Sequence, residues 1–243
     1  MTRAGGLVAV ALLVSGCASA AGVSDRSEVI RRILPSTVQL RAEREGGGRR
    51  AASGVVLASD TKSGRSWILT TRHFLEPPFR RQVYVSTPQH KGRGRAAVTA
   101  VSTDTDLAII EVEGIDLPPV KFKEVVQLGD EVWVVAFPWG RRLTVVSGVV
   151  SQIGSEAGEA AVEGPARMVD ASVSYGASGG GVFDAVTGAL VGIVEGYRTA
   201  RVAIPETPER GLEVPVPGET TVISSQAVVR FLLAAGLEAL IPK

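Results

Sequence analysis

The sequence predicts an all-β fold, a sandwich or a pair of barrels, on three observations. From about residue 36 onward the chain is a series of short runs, many of them rich in Val and Ile. Gly, Pro, Asp and Ser bound many of these runs, which is how strands end and turns begin. Long amphipathic helical patterns do not alternate with them, so a parallel βαβ architecture finds no support. Composition agrees, since 28 Gly, 13 Pro and only 5% aromatic residues in 243 suit many turns between short elements. With 45% hydrophobic and 21% charged residues, the chain can bury a core and is not disordered.

The N-terminus reads as a targeting segment. Arg3 precedes an apolar run over residues 7–14, then the small residues Ser15 and Gly16, then Cys17. A basic start, a short apolar core and small residues at its end make a secretory signal, and the run is too short for a permanent spanning helix. Val14-Ser15-Gly16-Cys17 resembles the bacterial lipobox, in which the cysteine is lipidated and becomes the new N-terminus. An ordinary signal with an incidental cysteine is the alternative. Cys17 is the only cysteine, and a lone cysteine in an exported protein calls for an explanation that lipidation supplies. Acyl chains there would hold the protein to a membrane without a spanning helix. The expected division is a lipoprotein signal peptide over residues 1–16, a small-residue tether over 17–27 and one domain over 28–243.

A short helix is expected at residues 27–34, stopped by Pro35. Strands follow in order. Val38 and Leu40 alternate with polar residues, and further runs occupy 54–58, 67–71, 83–86, 107–112, 131–137, 143–153, 168–172, 181–183 and 190–194. The segments 44–50 and 88–95 read as basic, flexible turns, and 154–166 as a Gly/Glu/Ala-rich loop. Four prolines (Pro205, Pro208, Pro215 and Pro217) make residues 199–220 read as a long, stiffened excursion. A C-terminal helix closes the chain. Ser224 or Ser225 can cap it, Val228, Phe231, Leu232 and Ala235 form one apolar stripe, and Gly236 suits its end.

Charge excludes some partners. The formal charge is +1, and Arg3 is the only charged residue in 1–16, so the remainder is neutral. A balanced chain gives no global reason to bind nucleic acid. Two histidines and one cysteine exclude a Cys/His-rich structural zinc site, and the one cysteine excludes an intramolecular disulfide.

Three segments carry candidate chemistry. Gly176-Ala177-Ser178-Gly179-Gly180 flanks a serine with glycines ahead of an apolar strand. Residues 67–73 place His73 just past another strand. Asp104 and Asp106 open a third. Singly, each reads equally well as a turn. Together they supply a nucleophile, a base and a carboxylate. A serine hydroxyl needs a neighbouring base to take its proton, and imidazole is the side chain suited to that at neutral pH. A carboxylate holds the tautomer and stabilises the imidazolium. His90, the only other histidine, lies in a basic Gly-rich loop and reads as a surface residue. An α/β-hydrolase esterase would share the G-x-S-x-G pattern, but its histidine follows its serine, and no histidine follows Ser178.

The order His, Asp, Ser resembles the chymotrypsin-like serine proteases, and among them the bacterial Deg/HtrA-type branch. The likeness runs along most of the chain after the signal: Leu34-Pro35-Ser36-Thr37-Val38, Ala52-Ser53-Gly54-Val55-Val56, Asp106-Leu107-Ala108, Leu128-Gly129-Asp130-Glu131-Val132, Ser147-Gly148-Val149-Val150-Ser151, Asp170-Ala171 and Val191-Gly192-Ile193. It implies two six-stranded antiparallel β-barrels with a C-terminal helix and the site in the cleft between them. It implies a triad of His73, Asp106 (in preference to Asp104) and Ser178. The backbone N–H groups of Gly176 and Ser178 would form an oxyanion hole. Ser172 would lie near the base of the primary pocket, with Val194, Glu195 and Gly196 as the edge that pairs with the substrate backbone and Tyr197 shortening it. No acidic residue falls at the pocket base, so Arg/Lys cleavage is disfavoured and a small or medium apolar residue is expected.

The chain also departs from that branch. Ala177 stands where relatives carry Asp or Asn, so it cannot pair with a new N-terminal amine, and trypsin-type zymogen activation is not expected. Gly181 replaces a common proline. Residues 225–243 leave no room for the PDZ domain that many such proteases carry. The resemblance calls for no cofactor and no metal. It implies polypeptide substrates and a lipid-anchored place in the bacterial envelope, and Ala18 after the cysteine points to the outer membrane, facing the periplasm. A non-catalytic, protease-fold module that holds a polypeptide in its cleft is the alternative from another class.

Overall fold

A computed structural model describes residues 25–44, 46–76, 81–88, 92–154, 161–204 and 207–242. The signal segment, Cys17 and His90 lie outside them. The element order is α1 (Arg26–Ile33), β1 (Thr37–Arg44), β2 (Arg49–Asp60), β3 (Arg65–Thr70), β4 (Arg81–Ser86), β5 (Gly94–Val101) and β6 (Ala108–Glu113). Then come β7 (Glu131–Ala136), β8 (Thr144–Ile153), β9 (Ala166–Asp170), β10 (Gly181–Asp184), β11 (Leu190–Ile204), β12 (Thr207–Ser224) and α2 (Ser225–Ala234). Two closed antiparallel barrels result, in the strand orders β1-β2-β3-β6-β5-β4 and β10-β11-β12-β9-β8-β7.

The apolar runs are continuous because several strands are buried on both faces. On β6, Ala108, Ile110 and Val112 fill the first barrel, while Ile109 faces a separate cluster between the barrels. On β7, Val132, Val134 and Ala136 fill the second barrel, while Val135 joins the same inter-barrel cluster. Phe183, Leu190 and Ile193 complete that seam, and it is capped by Val29 and Ile33 of α1 and by Val228, Phe231 and Leu232 of α2. Strands sandwiched in this way lose the alternation of a half-exposed sheet.

Both helices stand as expected. Ser224 Oγ accepts from Ala227 N at 3.3 Å at the start of α2, and Gly236 follows its end at φ +67°. The chain between the barrels is pinned by Val120 N to Val56 O at 3.0 Å and by Lys123 N to Leu190 O at 2.9 Å. Lys123 Nζ sits between Asp130 Oδ2, at 2.9 Å, and Asp184 Oδ2. Burial alone would push the Asp184 carboxyl up, but the hydrogen bonds from Lys123 and Thr187 outweigh it and hold the carboxyl below its usual range. Lys123 is held above its usual range, because its two carboxylate partners outweigh its own desolvation.

Two expectations need correction. Residues 199–204 and 207–220 do not form the stiffened excursion expected, since they complete β11 and form most of β12, paired from Thr199↔Pro215 to Ala203↔Gly211. Prolines are tolerated there because β12 pairs with β9 only at Thr220 and Thr221, leaving one edge of the ribbon without a ladder. Of the basic segment 88–95, read as a turn, Gly94 and Arg95 already belong to β5. Most of β5 faces solvent and its residues are small, so it carries no apolar period. No helix among the described residues is long and apolar enough to cross a membrane.

Candidate active site

His73 and Asp106 sit where two strands of the first barrel meet. Strand β3 ends at Thr70 and the chain enters a 3-10 turn, His73–Leu75, whose Phe74 and Leu75 are buried in the first barrel. That burial fixes the turn and leaves His73 at its lip, with its side chain 46% exposed. The loop before β6 is held by Ser102 N to Leu107 O at 2.9 Å and by Arg72 Nη1 to the carbonyls of Ser102 and Thr103 at 3.0 and 3.1 Å. Both oxygens of Asp106 are then engaged by one residue. Oδ1 accepts from the His73 backbone N–H at 2.8 Å, and Oδ2 lies 2.5 Å from His73 Nδ1. A carboxylate can only accept, so Nδ1 carries a proton, and in the neutral ring Nε2 is then the acceptor. Asp104 is exposed, and its carboxylate accepts from the neighbouring Thr103 hydroxyl at 2.9 Å.

Ser178 comes from the second barrel, on the turn before β10. Its carbonyl accepts from Ser53 N of β2 at 2.8 Å. Gly179 follows at φ +82°, and a Cβ there would lie 2.2 Å from the Ser53 carbonyl oxygen, so only glycine lets the two barrels approach this closely. Among the described residues no hydrogen bond joins Ser178 to His73.

The backbone beside Ser178 is pinned in a definite orientation. The Tyr175 carbonyl accepts from Trp139 N at 2.7 Å, and the Ala177 carbonyl accepts from Gly180 N at 2.8 Å. In trans peptides the following N–H points the opposite way, which turns the N–H groups of Gly176 and Ser178 away from those anchors. Neither N–H has a partner among the described residues. Trp139 holds φ +57°, unusual for a bulky residue, and its ring lies 5.4 Å from that of Tyr175.

The four residues expected around the substrate do not share one cavity. Ser172 lines a cavity of about 310 Å³ with apolar walls from Val134, Val146, Val173 and Ala177, and no acidic side chain. Glu195 lines another, of about 470 Å³, with Arg167 and Arg198. Val194 lines neither. Its side chain is buried in the second barrel, its N–H donates to Gly180 O and its carbonyl accepts from Gly179 N, both at 2.8 Å. Its N–H is thereby used within the second barrel, while its carbonyl keeps a second lone pair. A ladder irregularity follows Val194, so Glu195 is skipped and Gly196 pairs with Thr221. Ser53, Thr70, Arg72 and Trp139 also shape the site. No spacing marks them, because each acts on residues far away in the sequence.

Comparisons with known proteins agree with this fold. The family described as "Trypsin-like peptidase domain" matches residues 52–193, a span that includes His73, Asp106 and Ser178. The chain is similar to "Probable periplasmic serine endoprotease DegP-like" of Pseudomonas fluorescens, 30% identical over 171 residues, covering 68% of this chain and 33% of that protein. A protein of the same name from Buchnera aphidicola is 25% identical over 182 residues, covering 74% of this chain and 35% of that one. The chain thus spans about a third of the length of the curated relatives it matches. In fold it is similar to the serine endoprotease of Yersinia pestis, with TM-score 0.65 and 21% identity over 87% of this chain and 66% of that one. It is also similar to the HtrA-type protease AlgW S227A solved with a tripeptide, with TM-score 0.64 and 19% identity over 88% of this chain and 64% of that one. The chain belongs to the trypsin-like peptidase domain family.

Proposed function

We propose that this chain is a serine endopeptidase that cleaves polypeptides through His73, Asp106 and Ser178. The observation that carries the reading is the Asp106–His73 pair. Both carboxylate oxygens hold one histidine, which leaves Nε2 free to accept a proton. Ser178 Oγ would attack the scissile carbonyl carbon while His73 Nε2 takes the hydroxyl proton. The oxyanion would be met by the N–H groups of Gly176 and Ser178, each worth on the order of 3 kcal/mol. His73 then passes its proton to the leaving amine, and water repeats the sequence in reverse on the acyl-enzyme. Ser172, Val194, Glu195 and Gly196 are proposed to contact substrate. Walls without an acidic group at Ser172 favour a small or medium apolar residue before the cut.

The location proposed is the bacterial envelope, with Cys17 lipidated and the domain facing the periplasm from the outer membrane. The signal-like N-terminus and the periplasmic relatives support it. Labelling of the purified protein with a fluorophosphonate, wild type beside Ser178→Ala, tests the enzymatic reading. Wild type is expected to label and the variant to stay blank. Equal labelling of both, or none of either, refutes it.

A further inference from the structure

Ser53 lies on β2, on the barrel opposite the one that carries Ser178, and is fully buried. Its position falls just beyond the β2–β3 ladder, whose nearest pair is Val55↔Leu69. All of its polar atoms are used. Its N–H donates to Ser178 O at 2.8 Å and its carbonyl accepts from Thr70 Oγ1 at 2.8 Å. Its Oγ donates to the Gly176 carbonyl at 2.9 Å and accepts from Phe137 N at 2.8 Å. These directions are forced, because a carbonyl can only accept and a backbone N–H can only donate.

The consequence lies at Gly176. Its φ of +89° makes it the joint between two rigid peptide planes. The plane before it, which carries the Gly176 N–H, is pinned through the Tyr175 carbonyl by Trp139 N. The plane after it is pinned through the Gly176 carbonyl by Ser53 Oγ. Ser53 Oγ also holds Phe137 N, two residues before Trp139, so one hydroxyl governs both anchors. Without it, glycine has the freedom to rotate and no side chain of its own to resist. Thr70 ties the arrangement back to the strand that ends three residues before His73.

Resting on the reading of Ser178 as nucleophile, we propose that Ser53 is a positioning residue. Its hydroxyl holds the Gly176 N–H where the oxyanion forms and registers it to the barrel that bears His73. Ser53 touches no reacting atom, so its role appears in the transition state and not in substrate capture.

The test is steady-state cleavage of a peptide substrate by Ser53→Ala, beside wild type and Ser178→Ala, with a peptide aldehyde of the same sequence as inhibitor. Losing one oxyanion contact, or misplacing it by about 1 Å, costs on the order of 100-fold. We therefore expect kcat about 100-fold lower, KM within about twofold of wild type, and aldehyde affinity weakened by the same factor as kcat/KM. The pH profile of kcat/KM should overlay that of wild type, since the His73–Asp106 pair is untouched. Active-site titration separates this from partial unfolding, which would lower the number of competent sites and leave kcat per site unchanged. Should Ser53→Ala not fold, Thr70→Val removes only the donor to the Ser53 carbonyl, with an expected three- to tenfold loss on the order of one misaligned neutral hydrogen bond. Wild-type kcat and aldehyde affinity in Ser53→Ala, or in Thr70→Val when it stands in, overturn the proposal while Ser178→Ala stays inert. An active Ser178→Ala overturns the nucleophile assignment and this proposal together.

Discussion

Asp106→Asn changes one atom of the site, and the structure says which way the new amide must face. Asp106 Oδ1 accepts from the His73 backbone N–H at 2.8 Å, and only an oxygen can do so. The Asn oxygen therefore takes that place, and its NH2 group occupies the position of Oδ2, 2.5 Å from His73 Nδ1 in the wild type. A donor there forces Nδ1 to become the acceptor and places the ring proton on Nε2, where the serine proton has to go. The base is then present in the wrong tautomer. Related triads lose about 10⁴ in kcat for this change, which corresponds to about 5.4 kcal/mol of lost transition-state stabilisation. The fold should survive, because Asp106 lies at the lip of the cleft and its side chain is 17% exposed. The assay is kcat/KM on a peptide substrate, together with the rate of fluorophosphonate labelling. Both should fall by a similar factor, somewhat less than for Ser178→Ala. Asp104→Asn is the matched control, since its carboxylate faces solvent and Thr103, and it should be silent. Activity of Asp106→Asn within tenfold of wild type, or an equal loss in Asp104→Asn, would refute the tautomer reasoning.

Other outcomes follow from the same packing. Gly179→Ala puts a Cβ 2.2 Å from Ser53 O and 2.6 Å from Thr70 Oγ1 at φ +82°, so urea unfolding should show a loss of about 3 kcal/mol or more, with labelling of Ser178 impaired. Asp184→Asn leaves Lys123 with Asp130 alone and should cost roughly 2 kcal/mol near neutral pH. Because the Asp184 carboxyl is held below its usual range, its contribution is present above that range and lost as pH falls through it. Wild type should therefore lose more stability than Asp184→Asn between neutral and acid pH, and parallel curves would contradict this. Lys123 is held above its usual range, so its share persists at neutral pH and is lost only as pH rises past the lysine range. Full-length protein made in a bacterium with labelled fatty acid should carry label on wild type and none on Cys17→Ser.

Periodicity and residue order made much of this protein legible. The apolar runs of β2, β3, β6, β7 and β10 stood out because strands between two cores need apolar residues on both faces. The cap and stripe of α2 are local signals, read within one or two turns. The order His73, Asp106, Ser178 pointed to a nucleophile, a base and an orienting carboxylate before any distance was known. β5 and the outer half of β12 were hidden for the opposite reason. One is short of large apolar residues, and the other carries prolines that only an unpaired ribbon edge accommodates. Val194 could be placed near the substrate edge by position, but only the barrel closure engages both of its backbone groups. Ser53 is the sharpest case, since its hydroxyl meets Gly176 across 123 residues of sequence. Local propensity and apolar period belong to the chain itself and are already decided before it folds. Contacts between barrels depend on how two closed sheets dock, and docking brings together residues that share no local pattern.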